Sequence, residues 1–164
     1  MEKRSLESGK SLKKNIMTIL KTTSENKYFQ TLVHQLDSYL AIINGDENPF
    51  FTEFNQINEI KNVVVVYLNN QPIGCGAIKS YNKDSMEIKR MFVSENQRGN
   101  GIASKIIIEL EAWAQELGYQ KIVLETAKEM KDAVHLYLKN GYQIIPNYSP
   151  YENVESSVCF EKIL

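Results

Sequence analysis

Between Ser94 and Ser104 the chain reads Ser-Glu-Asn-Gln-Arg-Gly-Asn-Gly-Ile-Ala-Ser, and the spacing of its apolar residues changes across that segment. Before it lie three β-rich runs: Val63–Leu68, which opens on four valines, then Ile73–Tyr81 and Ser85–Val93. Asn69-Asn70-Gln71-Pro72 and Asn82-Lys83-Asp84 supply the turns between them. Short turns join antiparallel neighbours, so the three runs predict a meander. After the segment, Ile102, Ile106, Leu110, Trp113 and Leu117 step by four, four, three and four residues, the period of a helix with one buried face. Gly118 stops that helix. A strand therefore feeds a glycine-bearing loop that opens a helix, and the helix must pack back on a sheet.

The flanks extend the same pattern. Met17–Thr22 is a short β-like run. From about Glu25 to Ile43, Phe29, Leu32, Val33, Leu36, Leu40 and Ile43 fall at helical steps, and Asn44-Gly45-Asp46 ends the helix. A loop-like stretch follows with Phe50, Phe51 and Phe54. Downstream come a compact strand Ile122–Leu124, a helix from about Glu129 to Asn140 closed by Gly141, and two last strands at Tyr142–Ile145 and Ser157–Glu161. The class expected is α/β of the α+β type: a mixed, mostly antiparallel central sheet with helices on both faces.

At 164 residues one domain is enough. Residues 17–164 are expected to form it. Residues 1–16 read as a polar leader, disordered or foreign to the natural chain, with Met17 as a second candidate start. A net charge of −1 argues against nucleic acid as a partner, because phosphate binding needs a basic surplus. No apolar run approaches bilayer length and no secretory pattern opens the chain, so no membrane partner is expected. Two isolated cysteines, Cys75 and Cys159, suit a reducing compartment, and the expected location is the cytoplasm. A monomer or homodimer is expected.

The start of a helix leaves four backbone N–H groups unpaired and carries a partial positive charge, and glycines let a bound group approach the loop. Ser94–Ser104 is thus a candidate phosphate or pyrophosphate site. A Walker loop does not fit it. A dinucleotide fingerprint needs a third glycine where Ser104 stands and belongs in a first βαβ unit, not after a meander. A plain turn with helix-starting glycines stays open on these residues alone.

Arg98-Gly99-Asn100-Gly101-Ile102-Ala103 resembles the Arg/Gln-x-x-Gly-x-Gly/Ala motif of the GNAT acyl-CoA N-acyltransferase superfamily. Glu87–Val93 resembles that family's fourth strand, and Ala133-Val134-His135-Leu136-Tyr137-Leu138-Lys139-Asn140-Gly141-Tyr142 resembles its Ala-x-x-Leu-Tyr-x-x-x-Gly-Phe/Tyr helix end. The resemblance runs from Val63 to the C-terminus. It implies that the sheet splays beside the fourth strand and that acetyl-CoA enters the gap as cosubstrate. The pantetheine arm would meet the backbone of Met91, Phe92 and Val93. The pyrophosphate would meet the N–H groups of Gly99, Asn100, Gly101, Ile102, Ala103 and Ser104, with Arg98 opening the motif.

The implied chemistry is attack of a neutral amine on a thioester, which needs a base for the amine and a proton for the leaving thiolate. Tyr137 occupies the family position of the thiolate's proton donor; without the resemblance it reads as a half-buried aromatic on a helix. Glu125, read as the end of its strand, is the candidate base, against a bland role capping a helix or meeting Lys128. Glu87 is the rival, an amine contact placed by alternation on the same side as Lys89 and Met91. Met130 departs from the family pattern, since many relatives carry a cofactor-binding Asn there. Cys75 reads as a small core residue, and His34 and His135 lack metal-ligand spacing, so no metal is expected. Phe50, Phe51, Phe54, Tyr148 and Tyr151 are candidates for an acceptor pocket or for loop anchors. The expected activity is an acetyl-CoA-dependent N-acetyltransferase acting on a small-molecule amine. Its alternatives are a non-catalytic CoA-binding regulatory module and a protein N-terminal acetyltransferase.

Overall fold

The computed structural model describes residues 15–164. Residues 1–14 of the expected leader lie outside them; of its last two residues, Ile16 donates its N–H to the Asn69 side chain at 3.0 Å. In chain order the elements are β1 (Met17–Thr22), α1 (Lys27–Asn44), α2 (Asn48–Phe54), β2 (Asn62–Leu68), β3 (Gln71–Ser80), β4 (Ser85–Val93), α3 (Ile102–Glu116), β5 (Lys121–Ala127), α4 (Lys131–Lys139), β6 (Gln143–Ile145) and β7 (Ser157–Ile163). The strands form one sheet in the order β1-β2-β3-β4-β5-β7-β6. Every neighbouring pair is antiparallel except β4 and β5. The expected class and layering are met.

Alternation along β2 sets the two faces. Val63 and Val65 join Cys75 and Ala77 beneath Phe29, Leu32 and Val33 of α1. Val64 and Val66 join Ile78, Met86 and Ile88 beneath Ile102, Ile106, Ile107 and Leu110 of α3, with Tyr137 of α4 in the same cluster. Each large side chain buried this way contributes about 1.5–3 kcal/mol. The start of α1 is fixed by Asn26, whose side chain accepts from the N–H groups of Tyr28 and Phe29.

Two details differ from the sequence expectation. The β2–β3 turn is only Asn69-Asn70, with φ of 50° and 66°, and Gln71 and Pro72 already belong to β3. Two left-handed residues make the tight hairpin turn whose twist matches the strands, and asparagine tolerates that conformation. The Phe50–Phe54 stretch is helical, not a loop. α2 is seven residues long with Pro49 in its first turn, too short for its apolar spacing to reveal a helical period.

Candidate active site

The parallel pairing of β4 with β5 covers only Ser85–Glu87 against Lys121–Val123. Beyond it β4 runs on to Val93 and β5 to Ala127 without pairing, so the sheet opens between them. β4 also carries a bulge. Cys75 faces Phe92 and Ala77 faces Lys89, so Gly76 alone stands opposite Arg90 and Met91. Arg90 takes up the irregularity with a φ of 59°. Its buried guanidinium turns to the α1 face, where it donates to the Val33 carbonyl and to the Asp37 carboxylate.

Met91 lands on the α3 face. A Cβ at Gly76 would stand 2.5 Å from its sulfur and 2.8 Å from Ile106 Cγ2, so that position demands glycine. Simple alternation assigned Glu87, Lys89 and Met91 to one side, and the bulge overturns this: the extra residue reverses the facing of everything after it.

A cleft of about 740 Å³ occupies the gap. Its walls include Glu87, Met91, Phe92, Val93, Arg98, Gly99, Gly101, Ile102, Ala103, Ser104, Glu125 and Tyr137, which are all of the catalytic, amine-contact and cofactor-binding candidates from sequence except Asn100. Asn100 is exposed and its amide donates to the Gln97 carbonyl at 3.2 Å. Gly99 and Gly101 have φ of 82° and 75°, and a Cβ at either would meet nothing within 4 Å.

No side chain caps α3, whose first intrahelical bond runs from Lys105 N–H to the Gly101 carbonyl. The N–H groups of the first turn are therefore open to an anion. Arg98 braces this loop. Its Nε donates to the Val93 carbonyl at 2.9 Å, and its guanidinium lies over the Phe92 and Tyr39 rings. Asn140, the cap at the end of α4, donates to Ser104 Oγ at 3.1 Å and ties the end of α4 to the start of α3.

Tyr137 is 5% exposed, and its ring packs against Tyr142 and Phe160. Burial, with the Glu125 charge added, pushes its hydroxyl well above the ordinary tyrosine range, so it stays protonated. Glu125 does not end its strand; β5 continues through Thr126 and Ala127. Its side chain meets neither a helix end nor Lys128, and accepts a 3.0 Å hydrogen bond from Ser157 Oγ. Burial, with the Glu87 charge adding to it, raises its pKa to about 7 against the Ser157 bond and the Lys89 charge, which lower it. A carboxylate tuned in this way is ready to accept a proton near neutrality.

Glu87 is held by Tyr148, whose hydroxyl donates to Oε2 at 2.6 Å, and faces Lys89 at 3.7 Å. Lys89 in turn donates to the Tyr151 hydroxyl at 3.3 Å, and burial pulls its ammonium below the ordinary lysine range while Glu87 and Glu125 hold it up.

Of the aromatic candidates, Phe51 and Tyr151 line the cleft; Phe50 and Tyr148 pack beside them. Cys75 is buried beneath α1 and lies outside the cleft. Met130 lines it, with the Thr126 hydroxyl 3.8 Å from its sulfur, and His135 lines it as well. Lys89 and Ser157 were not singled out from sequence. Lys89 carried a signal, a charge alternating with Glu87 on one strand, whereas Ser157 meets Glu125 only through the long-range pairing of β5 with β7.

Among the described residues no group of three or more His, Cys, Asp and Glu stands close enough to hold a metal, and no helix is long and apolar enough to cross a membrane. The model of the acetyltransferase (GNAT) family matches residues 23–142. The IAA acetyltransferase of Azospirillum brasilense is 29% identical over 141 residues, which cover 81% of this chain and 88% of that protein. A Klebsiella pneumoniae protein assigned as an acyl-CoA N-acyltransferase superposes with a TM-score of 0.76 at 26% identity, covering 91% of this chain and 98% of that one. A GNAT family acetyltransferase from Elizabethkingia anophelis, solved with acetyl-CoA bound, superposes with a TM-score of 0.68 over 90% of this chain and 98% of its own; at 17% identity that likeness is one of fold.

Proposed function

This chain belongs to the GNAT family of acetyltransferases and is an acyltransferase, and on that premise we propose that it moves the acetyl group of acetyl-CoA to the amino group of a small acceptor. The observation that carries this reading is the convergence, on one cleft, of the uncapped start of α3, the Tyr137 hydroxyl and the Glu125 carboxylate. The open N–H groups from Gly99 to Ser104 suit the pyrophosphate of CoA, with no Cβ in the way at either glycine. The bulged end of β4, from Met91 to Val93, offers backbone to the pantetheine arm where no neighbouring strand of the opened side competes for it.

In this reading each side chain has one task. An alkyl amine has a pKa near ~10, so it must lose a proton before it attacks. Glu125, with its pKa near 7, accepts that proton. As nitrogen bonds to the acyl carbon and the carbon–sulfur bond breaks, Tyr137 donates its hydroxyl proton to the leaving sulfur. Burial keeps that hydroxyl protonated until it is needed. Glu87, held by Tyr148 and Lys89, presents a second carboxylate to the cationic acceptor. We keep the cytoplasm as the compartment, since Cys75 and Cys159 are both free and buried.

Calorimetry with a Gly101→Glu variant tests the cofactor half of the reading. The new carboxylate faces the same N–H groups as the pyrophosphate, so acetyl-CoA affinity should fall at least tenfold in a folded protein. Unchanged affinity would move the site elsewhere. An amine library read by CoA thiol release tests the transfer half and identifies the acceptor.

A further inference from the structure

We infer that Ser157 is a positioning residue for Glu125: its hydroxyl holds one carboxylate oxygen and sets the pH range over which Glu125 takes a proton. The inference rests on the reading of Glu125 as the base. In the β5–β7 ladder Glu125 stands opposite Cys159 and Ala127 opposite Ser157. Ser157 is thus the diagonal neighbour of Glu125 on the same face of the sheet, within reach of a long side chain. Its residue is fully buried and its Oγ donates to Glu125 Oε1 at 3.0 Å.

The serine is itself fixed at both of its backbone groups. Its N–H donates to the Val154 carbonyl at 3.1 Å, and its carbonyl accepts from Asn147 Nδ2 at 3.2 Å. The carbonyls of Tyr151 and Val154 share the same two amide hydrogens of Asn147, so one side chain gathers the turn that delivers Ser157 to β7. A donor anchored this way adds direction to the carboxylate as well as energy.

Several other groups act on Glu125. Glu87 and Lys89 face it from β4, Tyr137 from α4, Tyr151 from the loop before β7, and Cys159 from β7. The tyrosines and the thiol are held neutral by burial, and Glu87 and Lys89 oppose each other. Among the described residues, Ser157 is the one side chain that hydrogen bonds to the carboxylate. A donor stabilises the charged form, so it offsets part of the burial penalty and extends the ionised base to lower pH.

The test is Ser157→Ala, measured in two ways: the pH dependence of kcat/KM with an amine found in the library screen, and infrared titration of the Glu125 carboxyl, with Glu125→Gln as the subtraction reference. Loss of one hydrogen bond to a carboxylate should raise both transitions by about one pH unit. Activity at pH 6 should then fall about tenfold and recover as the pH rises past the shifted transition. Ser157→Thr, which keeps the hydroxyl, should restore the original limb; where the added methyl distorts the site, the infrared titration of Ser157→Ala decides alone. An unmoved carboxyl titration in folded Ser157→Ala overturns the inference. A uniform loss of activity at every pH, with the limb in place, overturns it as well and marks Ser157 as merely structural. A shifted carboxyl titration with an unshifted rate limb overturns the reading of Glu125 as base, and the catalytic role of Ser157 with it.

Discussion

Replacing Glu125 by glutamine should make the protein more stable while it destroys activity. The carboxyl has a pKa raised from the ordinary 4.5 to about 7 by burial. A group whose pKa is higher in the fold than in the unfolded chain stabilises the fold below its unfolded pKa. That stability is lost as pH rises from about 4.5 through about 7, and the loss is complete above. At about 1.4 kcal/mol per unit, the loss reaches about 3 kcal/mol at pH 8. Glutamine has the same shape, can still accept from Ser157 and carries no charge to bury. Glu125→Gln should therefore be more stable than wild type by up to about 3 kcal/mol at pH 8, about 6–12 °C in Tm for a chain of this size. At pH 5 most of that gap should have closed. Calorimetric or circular-dichroism melts of both proteins at the two pH values measure it. An equal Tm difference at pH 5 and pH 8 would refute the reasoning, because it would mean that the carboxylate pays no burial penalty when it ionises.

Gly76→Ala should cost about 1–3 kcal/mol, since the new methyl meets the Met91 sulfur and the stiff Ile106 side chain at 2.5 and 2.8 Å; a urea melt checks this, and Met91→Ala in the same chain should recover part of the loss. Burial pushes the thiols of Cys75 and Cys159 up to about 12 and about 11, so neither should react with Ellman's reagent at pH 8 until the protein is unfolded, when both should.

The fold was legible where periodicity is long and local. The steps of Ile102, Ile106 and Leu110 identify α3, and alternation with short asparagine turns identifies the meander. The glycine-bearing loop ahead of α3, the candidate phosphate site, was legible from its two glycines, and both have a left-handed φ. Three features escaped for physical reasons. The bulge at Arg90-Met91 shows in β4 as a slip of phase, Met86 and Ile88 on one parity and Met91 and Val93 on the other; alternation counted straight through it assigns Met91 to the wrong face. α2 is a single short amphipathic helix whose three phenylalanines find their partner, Tyr151, a hundred residues later in the chain. Ser157 reaches Glu125 through strand pairing, and pairing between β5 and β7 is a property of topology, not of any local pattern. Glu125 itself was legible only through the family resemblance, because an acid near a strand end is common and its burial becomes visible only once the cleft is built.

The most direct test of the account is single-turnover acetyl transfer by Tyr137→Phe, with acetyl-CoA affinity and thermal stability measured on the same protein. Phenylalanine keeps the ring packed against Tyr142 and Phe160 and removes only the hydroxyl. If Tyr137 protonates the departing thiolate, the chemical step should slow by ~10²–10⁴, the usual size of a general-acid contribution, while acetyl-CoA binds as before. Single turnover keeps slow product release from masking the effect. A normal rate for the chemical step in a stable, cofactor-binding Tyr137→Phe protein would contradict the mechanism and leave Tyr137 as a packing residue.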